Sequence, residues 1–253
     1  DVKDKIVAIL VNDPDFERGQ GDFGGKAMTY YGRWTYKYEE AARRGAAGAL
    51  IVHETAPAAY PWATVRNGRN GPQYDIVRAD AADYHLPVRG WIQREVAQRL
   101  FDESGLDFEA EKARAQQRGF AGYRLQGASA SLAFDVQRER IASRNVAGIL
   151  PGASRPQQTV IVSGHWDSFG IIADPDGSGD AIVNGAVDNA TSIASLIEIA
   201  RVFSAGERPA RSLLFLAVTA EESGLLGARY YAAHPLRPLE TTVADLNIEM
   251  WSP

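Results

Sequence analysis

The chain has 253 residues and a formal net charge of −5, with 45% hydrophobic and 23% charged residues, 24 Gly, 12 Pro and no Cys. This size and mixture belong to a globular protein of one to two domains rather than a disordered, collagen-like or coiled-coil chain. The acidic balance carries no electrostatic footprint for nucleic acid, and no apolar run approaches the roughly 18 residues of a membrane span.

In chain order, residues 5–12 (KIVAILVN) are rich in β-branched side chains and predict a buried strand, closed by the turn Asp13-Pro14-Asp15. A helix presenting Tyr38, Ala41, Ala42 and Gly45 on one side follows, then a strand over 48–53 (GALIVH). A Pro/Gly/Asn-rich loop over 56–71 separates it from a third strand over 87–92. Residues 94–112 predict a charged helical region broken at Ser104-Gly105. A domain boundary is expected near Arg118-Gly119, giving domains over 1–118 and 119–253. Beyond it, strands are predicted over 129–134 (SASLAF), 144–150 (RNVAGIL), 159–164 (TVIVSG), 212–220 (SLLFLAVTA) and 243–250 (VADLNIEM). Asp188-Asn189-Ala190-Thr191 should cap a helix running to about Phe203, with Ile193, Leu196, Ile197 and Ala200 at helical spacing, and residues 225–233 supply another helix. The fold class is therefore α/β, with a mixed, largely parallel sheet flanked by helices and buried on both faces.

Ligands of open α/β sheets gather at the carboxyl ends of the strands. Here those ends carry His165 and Asp167, Glu221 and Glu222, and Glu249, while Asp188 enters from a loop. Carboxylates crowded on one rim repel one another unless a cation neutralises them. Without cysteine, any metal is held by His and carboxylates, which favours Zn²⁺ and leaves Mn²⁺ and Co²⁺ open. Taken singly each residue has an ordinary reading: a solvated turn acid, a helix N-cap, a satisfied buried histidine. Their coincidence at one end of successive elements is what points to chemistry.

The segments SGHWDS (163–168), NGAVDNATS (184–192), AVTAEESGLLGARYY (217–231) and NIEM (247–250) together resemble the M28 family of zinc aminopeptidases. Residues 29–54 resemble the protease-associated (PA) domain inserted in many members, so the resemblance extends over essentially the whole chain. It implies a zinc exopeptidase-like fold with a smaller inserted α/β PA domain, and a peptide substrate cleaved at its N-terminal bond by water activated between two zinc ions. Carried over by position, it makes His165 a ligand of one zinc, Asp188 the bridging ligand, Glu222 a ligand of the second zinc, and Glu221 the general base. Glu249 stands where Asp is commoner in the family, and Asp167 matches the carboxylate that fixes the tautomer of a metal-bound imidazole. The peptide after the bridging Asp is often cis in the family.

The family supplies its last histidine ligand beyond the NIEM position. His234 matches no motif and fits a helix C-terminus, so the expectation is a fragment with an incomplete second zinc site. The opening Asp1-Val2-Lys3 reads as a mature or trimmed start, and the family favours a secreted or periplasmic location. A homodimer is left open, and no nucleic-acid or membrane partner is expected. Alternatives are a glutamate carboxypeptidase-like dipeptidase or amidase of the same family, and a receptor-like homologue without metals; retention of the five ligand and base residues speaks against the latter.

Other signals are set aside. Gly19-Gln20-Gly21-Asp22-Phe23-Gly24 satisfies G-x-G-x-x-G but opens no helix, which reads as a surface loop. Residues 174–180 start like a calcium loop, yet position twelve is Gly185 instead of Glu. No G-x-S-x-G nucleophile elbow is present. His53 and His85 read as structural, and the aromatics Tyr30, Tyr31, Trp34, Tyr36 and Tyr38 as either packing or a substrate wall.

Overall fold

The computed structural model describes residues 1–68, 71–78, 86–171 and 179–249. His85, Met250 and most of the calcium-loop-like stretch (174–178) lie outside the described residues. The chain divides into two compact units, Asp1–Arg66 with Val77–Gln137, and Asn67–Ile76 with Arg138–Pro253.

The first unit is built on a parallel sheet of order β1-β2-β3, from β1 (Ile6–Leu10), β2 (Gly48–His53) and β3 (Val88–Gln93). The central strand β2 is buried almost throughout, which is why it reads as an unbroken apolar run. Helix α1 (Trp34–Arg43) lays Tyr38 and Ala41 against Val11, Ala49 and Ile51, and the Tyr38 hydroxyl donates to Gly90 O at 2.7 Å. Ala97 of α4 (Arg94–Glu103) and Phe108 of α5 (Phe108–Ala115) close a second cluster on Val52.

The loop expected over 56–71 instead holds two short helices, α2 (Thr55–Ala58) and α3 (Trp62–Asn67). Pro57 sits in the first turn of α2, where a missing N–H costs little. Tyr60, Trp62 and Trp91 surround the buried His53 ring, whose Nε2 lies 3.0 Å from Tyr60 O, a structural role for that histidine. Trp34 and Tyr38 pack in the core, whereas Tyr30 and Tyr31 are exposed.

The second unit carries a mixed four-stranded sheet of order β4-β8-β5-β9. Its strands are β4 (Val146–Leu150), β5 (Arg155–His165), β8 (Arg211–Val218) and β9 (Thr242–Asn247). β5 runs parallel to β8 and β9, and β4 antiparallel to β8. A two-stranded ribbon pairs β6 (Gly170–Ile171) with β7 (Ile182–Val183). Helices α6 (Thr191–Ala205) and α7 (Leu226–Ala233) complete it. The core is Ile161, Leu214, Leu216, Val218 and Tyr231.

Three expectations are corrected. Residues 129–134 form no strand; they run without ladder partners, with Leu132 and Phe134 exposed, because alternation marks a face but only a pairing edge makes a strand. The sheet is buried along β5 and β8, while Val146, Ile149, Val243 and Leu246 on its outer strands are exposed. Asp188 is not an N-cap: α6 starts at Thr191 after Ala190, and Asp188 and Asn189 occupy a non-helical turn.

Candidate metal centre

Parallel register brings distant acids to one imidazole. Val218 on β8 stands level with His165 at the end of β5, and Asn247 on β9 stands level with Ser163. The Ile248 amide donates to Ser163 O at 2.8 Å, continuing the ladder, so that Glu249 two residues on reaches the level of His165. Glu221 and Glu222 sit in the turn that leaves β8, and Asp188 in the turn that enters α6.

The His165 side chain is 1% exposed. Its Nε2 lies 3.0 Å from Asp188 Oδ1, 3.1 Å from Glu249 Oε1 and 3.9 Å from Glu221 Oε2. Two sets of three donors, each within 4.8 Å of one another, share this ring: His165 with Glu221 and Glu222, and His165 with Asp188 and Glu249. The peptide between Asp188 and Asn189 is cis.

Asp167 departs from its expected contact. His165 Nδ1 lies 3.1 Å from the Asp167 backbone carbonyl and 3.7 Å from its carboxylate, so the carbonyl is the hydrogen-bonding partner. The carboxylate instead accepts the backbone amides of Glu221 and Glu222. His234 ends α7, its ring stacked on Tyr230 and far in role from the rim.

The charges are mutually perturbing. Burial alone lowers the His165 pKa, but Asp167 and the negative charges of Glu221 and Glu249 overcome it and raise the imidazole to about 10. Burial, with Asp188 and Glu221 beside it, pushes Glu222 up to about 8. Burial also raises Glu221, helped by Glu249, Asp167 and Asp188 against the opposing pull of His165. Asp167 is lowered despite its burial, because His165 and the two backbone amides favour its charged form.

Two carboxylate oxygens of this rim, Asp188 Oδ1 and Glu222 Oε1, are buried without a hydrogen-bond partner; the approach of Asp188 Oδ1 to Nε2 is close but lacks hydrogen-bond alignment. A buried carboxylate oxygen is expensive to leave unmatched. One imidazole among several carboxylates, with such oxygens facing it, is the donor chemistry a divalent cation of the zinc type accepts.

Asn189 was not singled out by the sequence, since a lone Asn in a turn carries no chemical signature. It is 1% exposed and its Nδ2 donates to Glu249 Oε1 at 3.0 Å.

Residues 145–253 match the model of Peptidase family M28. Over that stretch the chain is similar to that family. The mouse protein named aminopeptidase NAALADL1 is 34% identical over 130 residues, which take in 49% of this chain and 16% of that protein. A Pyricularia oryzae protein named probable zinc metalloprotease is 37% identical over 111 residues, 44% of this chain and 20% of that protein. The chain thus spans a fifth or less of these two relatives. Among solved structures, an aminopeptidase from Aneurinibacillus sp. strain AM-1 aligns with 99% of this chain and 51% of its own at 19% identity, with a TM-score of 0.40. His165, Asp188, Glu221, Glu222 and Glu249 all fall inside the M28 segment.

Proposed function

We propose that the M28 segment forms the catalytic rim of a zinc exopeptidase that releases N-terminal residues from peptides. The observation that carries this reading is the convergence of His165, Asp188, Glu222 and Glu249 around buried, unmatched carboxylate oxygens. Zinc, when bound there, supplies Lewis acidity and lowers the pKa of water toward neutrality. His165 with Glu249 would hold one ion and Glu222 another, while Asp188, 3.0 Å from His165 Nε2 and near enough to Glu222 to perturb its charge, would be a further ligand. Glu221 takes the proton of the attacking water and passes it to the leaving amine, a role its place in the turn beside Glu222, with Oε2 3.9 Å from His165 Nε2, allows. The free α-amine of a substrate is drawn to the acidic rim, which restricts cleavage to the first peptide bond.

The test is zinc titration of the protein against a chromophoric chelator, paired with hydrolysis of an aminoacyl p-nitroanilide and its N-acetylated counterpart. Zinc binding, turnover of the free-amine substrate alone, and about 10²–10⁴-fold loss in Glu221→Gln with zinc retained are expected. No zinc binding, or undiminished turnover in Glu221→Gln, overturns the reading.

A further inference from the structure

The residue after Asp188 is more deeply buried than Asp188 itself. Asn189 is 1% exposed and Ser192, one turn along, is 0% exposed, in a chain whose polar side chains otherwise mostly face water. Asn189 Nδ2 donates to Ile248 O at 3.1 Å and to Glu249 Oε1 at 3.0 Å, and Asn189 Oδ1 accepts from the Ser192 hydroxyl. These partners leave one orientation for the amide: NH₂ meets two acceptors, and the carbonyl meets a group able to donate.

We propose that Asn189, locked by Ser192, is the positioning residue that sets the Glu249 carboxylate for metal binding. The inference rests on the zinc reading above. Glu249 has a long side chain that is 47% exposed, and unrestrained it samples several rotamers. Its other amide contact, Asn247 Nδ2 to Oε2 at 3.3 Å, comes from an exposed residue on an outer strand. Asn189 is the buried amide restraint, and it meets the same Oε1 that lies 3.1 Å from His165 Nε2. An oxygen with two lone pairs can accept from Asn189 and still meet a cation where it now meets His165 Nε2, so Asn189 directs the carboxylate without competing for the ion.

The lock is itself anchored in the sheet. A Cβ at Gly164 would stand 3.0 Å from Ser192 Cβ and 3.4 Å from Ile248 O, so a side chain there would push Ser192 back by a few tenths of an ångström. The path runs from Gly164 through Ser192 and Asn189 to Glu249, the β9-end ligand. A purely structural Asn189 would need only its bond to Ile248 O.

The experiment measures zinc affinity by chelator competition, and the visible spectrum of the Co²⁺ form. It compares wild type, Asn189→Ala, Ser192→Ala, Glu249→Ala and Asn189→Ala/Glu249→Ala, with thermal unfolding of each metal-free protein as control. Asn189→Ala is expected to weaken zinc about 10- to 100-fold and to alter the Co²⁺ bands, with a smaller loss in Ser192→Ala. In the Glu249→Ala background, Asn189→Ala is expected to cost nothing further. Should Asn189→Ala fail to fold, Ser192→Ala, lacking a single hydroxyl, carries the comparison. Unchanged affinity in a folded Asn189→Ala or Ser192→Ala, or an equal loss with Glu249 already removed, overturns the inference while leaving the zinc reading intact. A wild-type protein that binds no zinc overturns that reading, and the inference with it.

Discussion

Asp167 Oδ1 accepts the backbone amide of Glu221 at 3.0 Å, tying the turn that leaves β8 to the segment that leaves β5. Its second oxygen takes the Glu222 amide at 3.3 Å. One carboxylate therefore sets the backbone that carries both the candidate base and a candidate ligand, while its own carbonyl faces His165 Nδ1.

Replacing Asp167 by Ala is expected to weaken zinc binding about 10- to 100-fold and to lower thermal stability, because two amides lose a charged acceptor. Asp167→Asn, which keeps one acceptor oxygen, should lose less. Chelator competition and calorimetry on both variants check this, and identical behaviour of the two would count against the amide-holding role.

Gly227 packs its α-carbon against the same turn. A Cβ there would stand 2.6 Å from Asn145 Oδ1 and from Thr219 N, and still closer to Thr219 O. Gly227→Ala is expected to cost about 1–3 kcal/mol through overpacking against backbone. Since Thr219 lies two residues before Glu221, zinc affinity should fall along with the melting temperature.

In the first unit, Lys37 is partly buried, donates to Asn12 O at 3.1 Å, and has its pKa lowered to about 8 by burial, against the favourable charge of Asp13. Between about pH 8 and 10.5 the unfolded chain holds this proton and the folded chain does not, so stability rises with pH across that window, by about 2–3 kcal/mol. Denaturant melts over pH 7–10.5 should show this rise in wild type and a flatter profile in Lys37→Met. Equal slopes would remove Lys37 as its source.

Leu196 and Ile197 are neighbours on α6 with opposite surroundings, 5% and 66% exposed. Leu196→Ala is expected to destabilise the second unit by about 2–5 kcal/mol, and Ile197→Ala to stay within about 0.5 kcal/mol apart from its small propensity gain. Urea titrations of the two variants decide it. Helical spacing groups both residues on one face, and only the direction in which α6 meets β5 and β8 separates them.

The sequence by itself determined the strand-and-helix order, the α/β class and which ends carry acids, because period and apolar runs are local properties of a chain. It also marked His165, Asp188, Glu221, Glu222 and Glu249, whose titratable groups announce themselves. What only the tertiary structure decided is who holds them. The Asp167 carboxylate turned out to hold two backbone amides while its carbonyl meets the imidazole, and Asn189 with Ser192 reached Glu249 from a turn that looked like an ordinary helix start. The structure likewise leaves 129–134 unpaired and coils Thr55–Ala58 and Trp62–Asn67 into helices. The partners of Asp167 and Asn189 that matter here lie more than 50 positions away in the chain, and a linear pattern carries no record of them.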